Sequence, residues 1–350
     1  MGDFNNLIST IQKNCDLVDA LHAQDYGLCI YLLKMRDYYR WRNNIPLTAD
    51  LVNDDIHEWI RETEDYWDEI QGQAFGNLEI NGNEFDVFDT DEINNELKKE
   101  NLVYSGGLSY GAVPLFYLAN LEEVRQEKGF QILISSNEHA RGLFGPPALY
   151  RDSTIFIRKE ALSQFLWSRY DEWQFKKREN PLGRAMGYYD FENDPISALE
   201  KMTKRELDTV IQHEIGEGLI GQKLGGVWQD MVVEFVHSKT EILLRAVRDL
   251  AVDCLTTLPF LLNEKKEASM HLYFSGFSDM RRELFPGLYL AYGHWSKTGE
   301  PEKMEELVSN GQGLWFDLSK EIISLYSSGG KKVQSKIDSL IEGVGNLSIN

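Results

Sequence analysis

The chain has 350 residues, 42% of them hydrophobic, and a formal net charge of −20. This length and composition are typical of a globular protein with one large domain or two smaller ones. The negative charge disfavours nucleic acid and anionic membranes as partners, because both are bound through clustered lysine and arginine. Three widely spaced cysteines, no signal-peptide pattern and no long apolar run predict a cytoplasmic protein without a membrane span.

An N-terminal helical region is predicted over residues 1–75. Its three helices run from about residue 4 to 22, 25 to 41 and 48 to 70. The middle helix is rich in aromatic and arginine side chains. We favour a core helix over a cofactor or partner surface for this stretch. Its run from Cys29 to Trp41 resembles the start of a group of uncharacterised bacterial proteins, a resemblance that implies no function.

Residues 76–225 predict an α/β region that ends in a distinctive helix. Asn81-Gly82 favours a type I′ hairpin turn between short strands. Helices are predicted at about 90–100 and 121–128, the second ended by Gly129, and Ser105–Gly111 reads as a turn-rich link. A long loop that contains His139 is predicted after a strand at 130–134. The other strands of this small mixed sheet are predicted at 102–104, 115–119 and 154–157.

The C-terminal region, residues 226–350, has almost exclusively helical patterns. Together the three regions predict an α+β fold, in which N-terminal helices and a small mixed sheet precede a mainly helical C-terminal part.

The most informative stretch is predicted to be a helix from about residue 204 to 222. Thr203 and Glu206 are spaced as a capping box, and Gly225-Gly226 would end the helix. Its two internal glycines, at 216 and 218, each lower helix propensity by about 1 kcal/mol. We therefore expect a ligand, a sheet or a substrate to approach this helix closely.

Within this helix, His213 and Glu217 are four residues apart and share one face, and Glu214 projects roughly 100° around the axis. The run His213-Glu214-x-x-Glu217 resembles the H-E-x-x-H helix of the zincin metallopeptidases, with glutamate where the second histidine stands in that motif. The resemblance implies a zinc ion bound by His213 and Glu217, and Glu214 as the general base.

A second helix is predicted from about residue 227 to 258. Glu234, His237 and Glu241 would share one face of it with two arginines. His237 follows Glu217 by 20 residues, about where the thermolysin-like zincins place a third ligand, a glutamate. The resemblance thus implies His237 as the third zinc ligand, with Glu241 and Glu234 as rival or additional ligands. An ordinary amphipathic surface helix explains the same pattern equally well.

Three functions remain open from the sequence. The leading hypothesis is a zinc-dependent, peptidase-like hydrolase acting on a peptide or small-molecule substrate. The second is a dinuclear oxidoreductase with two iron ions, because Glu234-x-x-His237 matches the ExxH element of di-iron carboxylate proteins. The third is an inactive zincin-like interaction protein. The sequence does not predict the substrate, the oligomeric state or the physiological partner.

Overall fold

A computed structural model describes residues 2–108, 113–151, 153–175, 177–277 and 279–347, with backbone only for 2, 3 and 345–347. The chain divides into two compact units, Met1–Ser168 and Arg169–Asn350. The predicted α+β class is confirmed, because helices surround a small sheet in the first unit and make up the second. The predicted regions 1–75, 76–225 and 226–350 divide the chain at other positions than these two units do, and that division stays a prediction.

The first unit opens with the three predicted helices. They are α1 (Gly2–His22), α2 (Leu28–Arg42) and α3 (Asn53–Ile70), and α4 (Thr90–Leu97) follows later in the chain. The predicted hairpin is also present, with β1 (Leu78–Ile80) antiparallel to β2 (Asn83–Phe85). Asn81 and Gly82 connect them with φ of 54° and 78°, the positive values that a type I′ turn requires.

A five-stranded sheet forms the centre of this unit. The strands are β3 (Leu102–Leu108), β4 (Pro114–Glu127), β5 (Phe130–Arg141), β6 (Ala148–Arg151) and β7 (Thr154–Arg158). Their order in the sheet is β3-β4-β5-β7-β6. Only β5 and β7 run parallel, and the other neighbours are antiparallel. Helix α1 packs on the sheet through Leu7 and Ile11, which join a core with Phe116 and Leu118.

Three predictions in this region are wrong. Residues 121–127 form no helix but continue β4, because they pair with β5 across the turn at Lys128-Gly129. His139 lies in β5 and not in a loop, and its ring nitrogen is 2.7 Å from Oδ1 of Asn120. Residues 105–108 of the predicted link belong to β3, and residues 109–111 lie outside the described part of the chain. Pairing between strands outweighs local propensity here.

A buried ion pair joins two strands of the sheet. The guanidinium of Arg158 donates from Nε and Nη2 to the two carboxylate oxygens of Glu138, at 2.6 and 2.9 Å. Both side chains are completely buried, and Arg141 lies 3.5 Å from the same carboxylate. Burial opposes ionisation of Glu138, but Arg158 and Arg141 outweigh it and lower the pKa of the carboxyl group.

All regular secondary structure in the described part of the second unit is helical. Its core includes Leu243, Val247 and Leu250 of α9 (Lys239–Val252), which pack with Trp315 and Ile322 of α14 (Glu302–Gly329). The helices are α5 (Lys159–Gln174), which begins in the first unit, α6 (Pro181–Met186), α7 (Pro195–Leu224), α8 (Gly226–Glu234), α9 (Lys239–Val252), a π-helical turn (Asp253–Thr257), α10 (Leu258–Asn263), α11 (Glu267–Ser275), α12 (Asp279–Leu284), α13 (Pro286–Thr298), α14 (Glu302–Gly329) and α15 (Gln334–Leu347). Across the described residues, no helix has both the length and the apolar character needed to cross a membrane.

The distinctive helix is longer than predicted. It is α7, and it begins at Pro195, where the side chain of Asp194 accepts a hydrogen bond of 3.1 Å from the backbone N–H of Ser197. The expected start at Thr203 is therefore wrong, and this residue is buried inside the helix. The predicted end is confirmed, because Gly225 has a φ of 70° and follows the last helical residue.

The second predicted helix, 227–258, is interrupted. Helix α8 ends at Glu234, and α9 begins at Lys239 after Ser238, whose side chain accepts a hydrogen bond of 3.3 Å from the N–H of Glu241. Between them His237 takes a φ of 62°. The premise that Glu234, His237 and Glu241 share one helical face is therefore wrong.

Candidate functional site

The structure brings His213 and Glu217 together on one face of α7. Nε2 of His213 lies 3.8 Å from Oε1 of Glu217, and the two side chains are 30% and 25% exposed. Both side chains are therefore partly exposed to solvent at the surface of the second unit.

The other nitrogen of the same imidazole ring faces a buried carboxylate. Oδ1 of Asp253 lies 3.4 Å from Nδ1 of His213, and the Asp253 side chain is completely buried. The hydroxyl of Thr257 is also 3.4 Å from Nδ1. His213 thus stands between two carboxylates, a buried one at ion-pair distance from Nδ1 and a partly exposed one at its outer edge.

The π-helical turn Asp253–Thr257 supplies both contacts to Nδ1. Such turns contain one extra residue per turn, which changes the direction of the side chains, and they are frequent at functional sites. Gly216 allows the turn to come close to α7, because a Cβ atom there would lie 2.8 Å from Cγ1 of Val252 and nearer still to Oγ1 of Thr256. The expected close approach at Gly216 is therefore explained by a neighbouring helix.

Two arginines and a tyrosine hold the carboxylates in place. Arg248 of α9 donates from Nη2 to Oε2 of Glu217 at 2.7 Å. Oδ2 of Asp253 accepts hydrogen bonds from the hydroxyl of Tyr273 at 2.7 Å and from Nη1 of Arg281 at 3.1 Å. These charge-assisted bonds orient the two carboxylates that flank the imidazole ring.

The pKa values of the His213–Asp253 pair move in opposite directions. Burial disfavours the imidazolium, but the bond to Asp253 and the charges of Asp253 and Glu217 outweigh it and raise the pKa of His213 to about 9. Burial also opposes ionisation of Asp253, and His213 and Arg281 outweigh it, so that the pKa of Asp253 is lowered. At neutral pH the pair is therefore an imidazolium and a carboxylate.

Two further carboxyl groups beside this pair have raised pKa values. Burial, followed by the negative charge of Glu217, raises the pKa of Glu214 to about 7. Burial, followed by the charge of Asp253, raises the pKa of Asp249 to about 6. The cluster therefore contains a carboxyl group poised near neutral pH next to a protonated histidine, and environments that separate pKa values in this way are typical of acid–base sites.

The three remaining predicted ligands lie elsewhere in the second unit. Oε2 of Glu241 accepts a hydrogen bond of 2.6 Å from the backbone N–H of His237, and Oε1 lies 3.1 Å from Arg245. Glu234 accepts from the hydroxyl of Tyr326. Because Glu241 precedes Arg248 by seven residues in α9, it lies about 10 Å along the helix from the residue that contacts Glu217. The residue of α9 that contacts Glu217 is Arg248, and not Glu241.

A zinc ion fits this arrangement only in part. His213 and Glu217 offer two ligand atoms, and Asp253 holds Nδ1 as outer carboxylates do in zinc sites. Catalytic zinc, however, takes three protein ligands. Over the described residues, no group of three or more His, Cys, Asp or Glu side chains is placed to hold a metal ion. The predicted ligand set stays a prediction, and we derive no chemical step through a metal.

The sequence analysis missed Asp253, Thr257, Tyr273 and Arg281. One signal could have revealed Asp253, since it is the only charged residue between Leu250 and Leu258. A single acid in an apolar helix is buried only when it is paired. The partners come from α11 and α12, and no local pattern connects those helices to α7.

Comparison with protein-family models identifies the family of this chain and assigns no function to it. The C-terminal domain model of a family of unknown function (DUF6866) matches residues 163–344, and the N-terminal domain model of the same family matches residues 6–158. The chain therefore belongs to the DUF6866 family. No curated protein matches the chain. No solved structure matches it either.

Proposed function

We propose that the second unit is a hydrolase whose acid–base site is centred on His213, with Glu214 as the general base. One observation carries the proposal: buried Asp253 lies against Nδ1 of His213 and leaves Nε2 at the partly exposed face beside Glu217. An aspartate that orients a histidine in this way is a recurrent device of acid–base catalysis on unrelated folds.

The proposed chemistry divides the proton transfers between two groups. Glu214 takes a proton from a water molecule that attacks the carbonyl carbon of the substrate, and the bond to the leaving group breaks. The imidazolium of His213 donates its proton from Nε2 to that leaving group. Asp253 acts as a positioning residue, because it touches His213 and not the substrate. Arg248 holds Oε2 of Glu217 through a hydrogen bond of 2.7 Å and so acts as a second positioning residue.

A metal-assisted form of the same hydrolase is the second candidate. It is favoured by the 3.8 Å separation of Nε2 of His213 and Oε1 of Glu217 and by the carboxylate at Nδ1. Here His213 and Glu217 would hold zinc, which polarises a carbonyl and lowers the pKa of bound water, and Glu214 would remain the base. His237, Glu241 and Glu234, the other ligands implied by the zincin resemblance, would have to move to join them.

The test combines metal analysis with an activity screen. Full-length protein, purified without chelator and without tag-derived nickel, is assayed for metal content and against chromogenic esters and peptide anilides. The variants are His213→Gln, Glu214→Gln, Glu217→Gln and Asp253→Asn. The matched control is His294→Gln, because His294 is exposed and pairs with Glu300 outside the cluster.

The outcomes separate the candidates. The acid–base proposal is supported if hydrolysis does not depend on metal, is lost in the His213 and Glu214 variants and is retained in the control. Zinc at about one ion per chain, lost in His213→Gln and Glu217→Gln, supports the metal-assisted form. Two iron ions per chain would favour the dinuclear oxidoreductase. A protein without metal and without hydrolysis would overturn both hydrolase candidates and favour an interaction protein.

A further inference from the structure

The first half of α2 exposes an unusual amount of apolar surface. Leu28, Ile30 and Leu33 are 71%, 54% and 54% exposed, and Leu32 is 43% exposed. The second half of the helix is ordinary, since Met35 and Tyr38 are buried in the core of the first unit. Leu28 and Leu32 lie on one side of the helix and Ile30 and Leu33 on another, so the exposed apolar surface extends around the helix. Contiguous exposed apolar patches in a folded protein mark interaction surfaces, whereas isolated exposed residues are common.

A groove lies beside this surface, between α2 and α3. It has a volume of about 360 Å³ and is lined by apolar, aromatic and polar side chains, two of them acidic. The residues that define this α2–α3 groove are Tyr26, Leu28, Tyr31, Trp67, Glu64 and Asp68. The hydroxyl of Tyr31 donates to Glu64 at 2.7 Å, which fixes one acidic group at the edge.

The charge around the groove is strongly negative. Helix α3 contains eight Asp and Glu residues and a single arginine. The nearby cations of α2 already have partners in the unit. Lys34 lies over the rings of Tyr26 and Phe144, and Arg42 pairs with Asp16 at 3.2 Å. An apolar ligand with positive charges at its border would therefore match the groove in both respects.

We propose that the α2–α3 groove binds an amphipathic helix of a partner protein, with an apolar face flanked by lysine or arginine. Helices that bind grooves bury apolar residues at one face and use charges at the rim for specificity. A second copy of this chain is a poorer occupant, because it would bring two acidic α3 helices together. An anionic membrane is disfavoured by the same charge.

The test uses full-length protein and a synthetic amphipathic helix of about 14 residues, roughly four turns, with leucine on one face and lysine beside it. Calorimetry gives its affinity, and the alkylation rate of Cys29, which is exposed within the patch, reports where it binds. Leu28→Gln removes apolar surface from the groove, and Glu64→Gln/Asp68→Asn removes charge at its edge.

Matched controls remove the same chemistry elsewhere. Leu290→Gln removes an equally exposed leucine of α13, and Glu302→Gln/Glu305→Gln removes two exposed acids of α14. We expect both groove variants to weaken binding by about tenfold or more, the controls to have little effect, and the peptide to protect Cys29. A peptide with glutamate in place of lysine should not bind.

Three results would overturn the proposal. They are absence of binding by the basic peptide, equal loss of affinity in groove and control variants, and self-association that the Leu28→Gln variant abolishes. The second would indicate non-specific attraction to an acidic protein, and the third would make a second copy the occupant. Failure here leaves the hydrolase proposal untouched, because the groove and the His213 cluster belong to different units.

Discussion

The closest contact between α7 and the π-helical turn can be tested by adding one methyl group. In Gly216→Ala the new Cβ would lie 2.8 Å from Cγ1 of Val252 and closer still to Oγ1 of Thr256, so these side chains, or the segments that carry them, must shift. The same replacement at Gly221, also in α7, meets nothing within 4 Å. The two substitutions therefore share the change in helix propensity and differ in the clash.

The sizes of these two opposing effects decide whether Gly216→Ala stabilises or destabilises the protein. Alanine in place of glycine inside a helix stabilises by about 1 kcal/mol, and Gly221→Ala should show this gain. Overpacking costs typically about 1–3 kcal/mol, so Gly216→Ala should be less stable than Gly221→Ala by that amount. Relative to the natural chain, Gly216→Ala should range from neutral to about 2 kcal/mol less stable.

Urea unfolding followed by tryptophan fluorescence gives both free-energy differences. Thr256→Ala removes the nearest atoms, so combined with Gly216→Ala it should recover part of the loss, which a double-mutant cycle measures as coupling. Equal stabilisation by Gly216→Ala and Gly221→Ala would refute the close approach of the π-helical turn. It would also remove the structural basis for the contact between His213 and Asp253.

Three further predictions follow from buried or reactive groups. Glu138→Gln should destabilise the protein by about 3–5 kcal/mol because it leaves the charge of Arg158 buried and unpaired, whereas the double replacement Glu138→Leu/Arg158→Met should cost much less in thermal unfolding. Burial raises the pKa of Glu206 from 4.5 to about 7, so the folded protein holds this proton up to a higher pH than the unfolded chain does. The free energy of unfolding should therefore fall as pH rises from 4.5 to about 7. Urea titrations at several pH values would measure this slope, and Glu206→Gln should flatten it. Thiol reagents should modify Cys29 alone in the folded protein, because the other two cysteines are buried, and mass spectrometry would count the labels.

The sequence predicted those parts of the fold that local chemistry determines. The three N-terminal helices, the Asn81-Gly82 hairpin and the end of α7 at Gly225 all have their signals within a few residues. The failures have another origin. Residues 121–127 became a strand because they pair with residues 130–135 of β5 across the turn at Lys128-Gly129, and the helical propensity of the segment alone does not include that pairing.

The site shows the same division between local and long-range information. The pairing of His213 with Glu217 follows from their spacing on a helix, and the structure has them 3.8 Å apart. The role suggested for His237 depended on a continuous helix, and a positive φ at that residue ends the continuity. The contact of Asp253 with His213 was out of reach of local patterns, because a π-helical turn alters the helical period at the position where the two residues meet.

The charges of the cluster bear on the choice between the two hydrolase candidates. In the structure both carboxylates that contact the imidazole ring also pair with an arginine, with Asp253 between His213 and Arg281 and Glu217 between His213 and Arg248. A metal ion must displace the proton of His213, whose pKa is raised to about 9, and at pH 7 this costs about 100-fold in affinity. It must also compete with Arg248 for Glu217. Proton transfer by His213 needs neither displacement, and for that reason the acid–base form is the simpler use of these residues.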